Sequence, residues 1–141
     1  MSSRALTFMA IAGLALLLAA PAPAQTSRLM ASIPFDFVTG TRTLPAGDYV
    51  VDTSVAYSVV LVWSVSGQDA ATALTNSVSE PVVLSSPQPK LIFRRYGNQY
   101  FLSRIWNGTS GTGREIPMSE AERALRAELR APETLVILAR R

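Results

Sequence analysis

The sequence predicts a mainly β chain: one β-sandwich or small barrel of about seven short strands, with a single α-helix near residues 119–130. Three observations carry this. Apolar and polar residues alternate in short runs between Leu29 and Trp106, and turn residues punctuate those runs every ten residues or so. Every aromatic residue except Phe8 also falls between Phe35 and Trp106, which places the core there. A helix-start pattern occurs once, at Ser119 to Glu122.

The first segment is not part of that domain. Residues 1–24 carry a positive Arg4 near their start, continue through an uncharged apolar run from Ala5 to Ala20, and end in Pro21-Ala22-Pro23-Ala24. This is the order of a cleavable secretory signal: a positive start, an apolar stretch shorter than the ~20 residues of a membrane span, and a small-x-small cleavage site. Cleavage after Ala24 makes Gln25 the mature start and leaves residues 25–141 as one domain with no transmembrane span. An uncleaved anchor is the alternative. A lipid-carrying cysteine is excluded, because the 141 residues contain no Cys. The chain is therefore expected to be exported, to the periplasm or the extracellular space. There disulfides would be permitted, so their absence leaves stability to packing alone.

Residues 29–38 read as a strand with Ile33, Phe35 and Phe37 on one face, and Pro34 confines it to a sheet edge or a bulge. Thr39 to Thr43 reads as a loop. Leu44-Pro45-Ala46-Gly47 then reads as a tight reversal, with Gly47 expected at positive φ. It launches a strand over 48–53 whose Tyr49 and Val51 face inward. Residues 57–65 form the most β-prone run, apolar on both faces as a central strand requires. A weaker strand covers 70–78, and the prolines of 81–89 suggest an extended crossing.

The clearest hairpin joins 90–96 to 99–106 through Gly97-Asn98. An uninterrupted ladder sets Arg95 opposite Tyr100, Phe93 opposite Leu102 and Leu91 opposite Arg104. Residues 107–113 read as a glycine-rich loop, and its Gly-Thr-Ser-Gly-Thr-Gly run lacks the Lys-Ser/Thr ending of a phosphate loop. Asn107-Gly108-Thr109 matches a glycosylation acceptor by composition alone. In the helix, Met118, Ala121, Leu125 and Leu129 form the apolar stripe, while Ser119 and Glu122 form a capping box and Glu122 pairs with Arg126 on the outside. Pro132 ends it. Residues 135–139 read as a last strand buried in the sheet, with Arg140 and Arg141 in solvent.

The residue types bound the chemistry. With no His and no Cys, Ser-His-Asp and Cys-His machinery and the usual zinc sites are excluded. Acid–base work would fall to carboxylates, of which Asp36, Asp48 and Asp52 lie on neighbouring segments. No spaced calcium loop is present, and no cofactor or metal is expected. The formal net charge is +3, one of which leaves with Arg4, so there is no electrostatic case for nucleic acid. One constellation stands out. The uninterrupted ladder gathers Arg95, Tyr100 and Arg104 on one hairpin face with Trp106 beyond, and arginines beside aromatics can grip an acidic sugar or a carboxylate. The same side chains also suit the rim of a core.

The pieces Ser32-Ile33-Pro34-Phe35-Asp36-Phe37, Leu44-Pro45-Ala46-Gly47-Asp48-Tyr49, Tyr96-Gly97-Asn98-Gln99-Tyr100-Phe101-Leu102-Ser103 and Gly113-Arg114-Glu115-Ile116-Pro117 resemble those of a group of small secreted bacterial proteins without assigned function. The resemblance implies export and a β-rich fold, and carries no catalytic or binding residue with it. The function expected is that of a non-enzymatic envelope or extracellular module binding a protein or a glycan. A carboxylate-based polysaccharide hydrolase and a self-associating envelope protein are the alternatives.

Overall fold

The computed structural model describes residues 27–80, 87–108 and 111–141. The expected export signal, residues 1–24, and most of the expected 81–89 crossing lie outside the described residues. Eleven strands and one helix form among the described residues, more strands than the turn punctuation suggests, because several are only three or four residues long. One sheet takes β1 (Arg28–Ile33), β4 (Gly47–Ala56), β5 (Val59–Ser64) and β6 (Ala70–Leu74) in the order β1-β4-β5-β6. The other takes β11 (Glu133–Leu138), β8 (Lys90–Tyr96), β9 (Gln99–Trp106), β10 (Thr112–Glu115) and β7 (Asn76–Ser79) in the order β11-β8-β9-β10-β7. Two short strands, β2 (Phe37–Thr39) and β3 (Arg42–Leu44), form a hairpin that docks on β9 through Val38 opposite Phe101. The fold is a sandwich and not a closed barrel.

Prolines and buried corners move the chain between sheets. The run 29–38 is two strands rather than one: β1 ends before Pro34, and β2 continues in the opposite sheet. The edge position expected from Pro34 is where β1 sits. The stretch 70–78 divides in the same way at Thr75, whose N–H donates to the Ser58 carbonyl at 2.8 Å while the chain turns from β6 into β7. Leu44 to Gly47 is likewise a corner between sheets, and Gly47 does not take positive φ. Gly40 does, at +61°, in the two-residue loop joining β2 to β3. A Cβ on Gly40 would lie 2.6 Å from the Thr72 carbonyl oxygen, so glycine is required there on both counts.

Between the sheets the apolar faces interlock. β5 is an inner strand with Val60 and Val62 fully buried, as its two-sided apolar run requires. Aromatic edges cross the gap: Phe93 of β8 meets Phe35 at 5.2 Å and Phe37 at 5.6 Å, and Phe37 meets Tyr49 of β4 at 5.0 Å, all edge to face. The Tyr49 hydroxyl, at the far side of that chain, donates to the Pro45 carbonyl at 2.6 Å and so ties the corner to the core.

The helix α1 (Glu120–Glu128) covers the other face of the second sheet. Since strand side chains alternate, Leu91 and Phe93 point into the sandwich while Arg94 and Tyr96 point the other way. Glu122 enters that outer layer and is 2% exposed. Its carboxylate accepts from Arg94 Nε at 2.6 Å and Nη2 at 3.2 Å, and from the Tyr96 hydroxyl at 3.1 Å. Arg94 Nη2 also donates to the Ile116 carbonyl at 3.3 Å, on the approach to the helix. The expected surface pair of Glu122 with Arg126 is therefore not formed. Ser119 is the N-cap as expected, accepting from the Glu122 N–H at 3.1 Å, but the reciprocal half of the box gives way to Arg94 and Tyr96. The expected apolar stripe is corrected with it: Ala121 and Leu129 are exposed, and Leu125 is half-buried.

A buried, bidentate pair of this kind is costly to halve. Glu122→Ala is expected to lower the unfolding free energy by about 3–5 kcal/mol, because it leaves Arg94 charged and unpaired under the helix. The double variant Arg94→Met with Glu122→Leu should recover most of that loss. Urea denaturation of the three proteins measures both; a double variant no more stable than Glu122→Ala would show that packing, not the charge left behind, sets the cost.

Candidate functional site

The hairpin constellation is the first candidate, and a β-bulge decides its geometry. Arg95 does face Tyr100 and Phe93 does face Leu102, but the ladder slips one residue between Ile92 and Phe93. Beyond the slip Ile92 faces Arg104 and Leu91 faces Ile105, which corrects the expected Leu91–Arg104 pair. The extra residue is Ser103, which is buried and whose carbonyl accepts from the Ile116 N–H at 2.8 Å. Because one added residue reverses the side-chain alternation, Arg95 and Tyr100 lie on the sandwich face while Arg104 and Trp106 lie on the helix face. The four residues are not brought together.

Each half finds partners inside the chain. Tyr100 stacks on Phe35 with ring centres 3.9 Å apart and planes 13° from parallel, and the Arg95 guanidinium lies 5.5 Å from the Tyr100 ring. Arg95 also donates from Nε to the Gly97 carbonyl at 2.7 Å and from Nη1 to Glu133 at 3.3 Å. Arg104 pairs with Glu115 at 3.0 Å. Trp106 is buried beside Lys90, whose amine is 5.7 Å from the ring, and Gly113 leaves room for it; its Nε1–H has no acceptor among the described residues.

The three aspartates are also separated in role. Asp36 accepts from the Ala46 N–H at 2.9 Å and fixes the corner. Asp52 is 4% exposed on the outer face of the first sheet, where it accepts from Arg28 Nε at 2.8 Å, the Ser54 N–H at 2.8 Å and the Ser54 hydroxyl at 2.5 Å. Burial works to raise its pKa, yet the bonds from Ser54 and Arg28 outweigh burial and hold the carboxyl below its ordinary value. Asp48 alone lines a cleft.

That cleft, of about 520 Å³, opens between the edges of the two sheets. Met30, Ala31 and Ser32 of β1 form one wall and Leu138, Ala139 and Arg140 the other, with Asp48, Tyr49 and Val65 between them. The walls meet at one point, where Met30 and Arg140 exchange backbone hydrogen bonds of 2.8 and 2.9 Å. Past it the strands diverge, and no ladder joins Ser32 to Leu138. Nothing in the sequence marks this cleft, since it depends on which strands are edges. Among the described residues no group of three His, Cys, Asp or Glu side chains is placed to hold a metal ion. No helix of the described residues is long and apolar enough to cross a membrane. No known protein family, curated protein or solved structure matches the chain.

The charged and phenolic groups give the fold two pH limits. Asp52 has a folded pKa depressed below its unfolded value, so its contribution is present above that value, about 3.9, and is lost as pH falls through the folded pKa. Tyr96 behaves oppositely. Burial, and then the Glu122 charge, push its pKa above the ordinary 10.0, so its contribution is complete below that value and is lost as pH rises through the folded pKa. Thermal melts against pH should show Asp52→Asn flattening the acid limb and Tyr96→Phe flattening the alkaline limb. Unchanged limbs in both variants would assign the pH dependence to other groups.

Proposed function

We propose that this chain is an exported, non-enzymatic interaction module of the envelope or extracellular space, acting on a protein or glycan partner. Export is supported by the charge, length and terminal Ala-Pro-Ala of residues 1–24. The observation that carries the module reading is the distribution of acids. Four clefts among the described residues each have at most one carboxylate in their lining: Asp48 in the cleft of about 520 Å³, Glu133 in one of about 230 Å³ beside Arg95, Glu122 beneath the helix, and none in one of about 300 Å³ beside Tyr57. A glycosidase needs two across one cleft, at about 5–10 Å. What the walls of the main cleft offer instead is strand edge, which suits recognition of another chain.

Three measurements test this. The intact mass of the protein recovered from the envelope and medium should correspond to a chain beginning at Gln25; a chain retaining residues 1–24 in the cytoplasm would refute export. Immobilised protein should then capture a discrete envelope component. Asp48→Asn should not abolish any activity toward polysaccharides, and a hydrolase activity that disappears in that variant would establish the enzyme reading in its place.

A further inference from the structure

We infer that β11 is a self-association edge: it pairs antiparallel with β11 of a second copy, so that two second sheets join into one. The inference rests on the module reading above and names one partner for it, the chain itself. Backbone direction is the first ground. The Ala139 N–H bonds to the Pro89 carbonyl, on the β8 side, while the N–H and C=O of Arg140 bond to Met30 on the opposite side. Strand backbone groups alternate sides residue by residue, so those of Thr134, Val136 and Leu138 point outward with those of Arg140. β11 ends its sheet, and no ladder among the described residues meets those three.

The second ground is the absence of the features that protect edges. Exposed edge strands usually carry Pro, Lys, an inward charge or a bulge, or are very short. β7 is four residues long and mostly polar, whereas β11, although flanked by Pro132 and Arg140, has no Pro, Lys or bulge between Thr134 and Leu138. β11 runs Glu-Thr-Leu-Val-Ile-Leu in unbroken register on β8, with Val136 51% and Leu138 59% exposed. It is also corrected here from a buried strand to an edge.

Self-complementarity is the third. A two-fold axis through Val136 pairs Val136 with its own copy and Thr134 with Leu138, which joins all three outward residues on each strand. The next pair would be Arg140 with Pro132. There the ladder must stop, since Pro132 has no N–H and Arg140 is already bonded to Met30. The same register places Glu133, whose side chain is 73% exposed, one diagonal step from Arg141 of the second copy. Opposite charges thus meet at both ends of the strand pair.

Sedimentation across a concentration series, on the protein as secreted, should show a monomer–dimer equilibrium. Val136→Lys sets like charges directly opposite and should weaken the dimer about tenfold or more with an unchanged circular dichroism spectrum. Because the chain has no Cys, thiol placement reads the register directly. Val136→Cys should cross-link to itself under oxidation or with a short dithiol-reactive linker, Leu138→Cys should not, and Leu138→Cys mixed with Thr134→Cys should. A wild-type monomer at every concentration, a dimer indifferent to Val136→Lys, or equal self-cross-linking at 136 and 138 would each overturn the proposal. If the monomer result came with capture of an envelope component, the module reading would stand and the self-pairing alone would fall.

Discussion

The edge-to-face chain of Phe93, Phe37 and Tyr49 is the contact on which the two-sheet arrangement depends. It runs from β8 in one sheet through β2 to β4 in the other, and Phe35 adds a second edge against Phe93. No disulfide can hold the layers together in a chain without cysteine, so the sheets are fixed by packed surface of this kind. The corners are subordinate to it. Phe35 and Phe37 reach the core only because Pro34 ends β1 and passes the chain across, and Tyr49 is oriented by its bond to the Pro45 carbonyl. Sequence features that look like turn chemistry are thus the means of delivering rings to one place.

On the far side of the second sheet the same strand supplies a different chemistry. Phe93 and Arg94 are neighbours in sequence and enter opposite layers, one apolar and one ionic. Arg94 and Tyr96 meet Glu122, and the helix is docked by that contact more than by an apolar stripe, which explains why Leu129 stays exposed. A helix pattern alone misleads here. Glu three residues after Ser119 has two uses, as the second half of a capping box or as an inward ligand for a buried arginine. The choice is made by what the sheet presents beneath it. Periodicity cannot show that, because Arg94 and Glu122 are 28 residues apart in sequence but adjacent in space.

What was legible follows from local rules. The Gly97-Asn98 turn, the two-sided apolar run of β5, the N-cap at Ser119 and the sandwich class each rest on a few adjacent residues. What was not legible depends on pairing. Ser103 looks like any strand residue, yet as a bulge it sends Arg104 and Trp106 to the opposite face from Arg95 and Tyr100. The short strands β3 and β10 carry no apolar run of their own and exist because a neighbour offers a ladder. Residues 135–139 are as apolar as a central strand, and only the strand order identifies β11 as an edge.

The cleft and the open edge have a common origin in sheet twist. Stacked sheets pack with their strands rotated by about 30°, so edges that touch at one corner must separate along the rest of their length. β1 and β11 touch at Met30 and Arg140 and then part, leaving the cleft between them and the outward groups of β11 beyond it. At the opposite side the problem is solved covalently, since β6 continues into β7 around Thr75. A sandwich this small has no spare segment among its described residues to lay over β11. The unpaired backbone is therefore a consequence of closing the fold at a single bridge, and water or another strand must satisfy it. Of these, a strand also covers Val136 and Leu138, which water cannot do favourably.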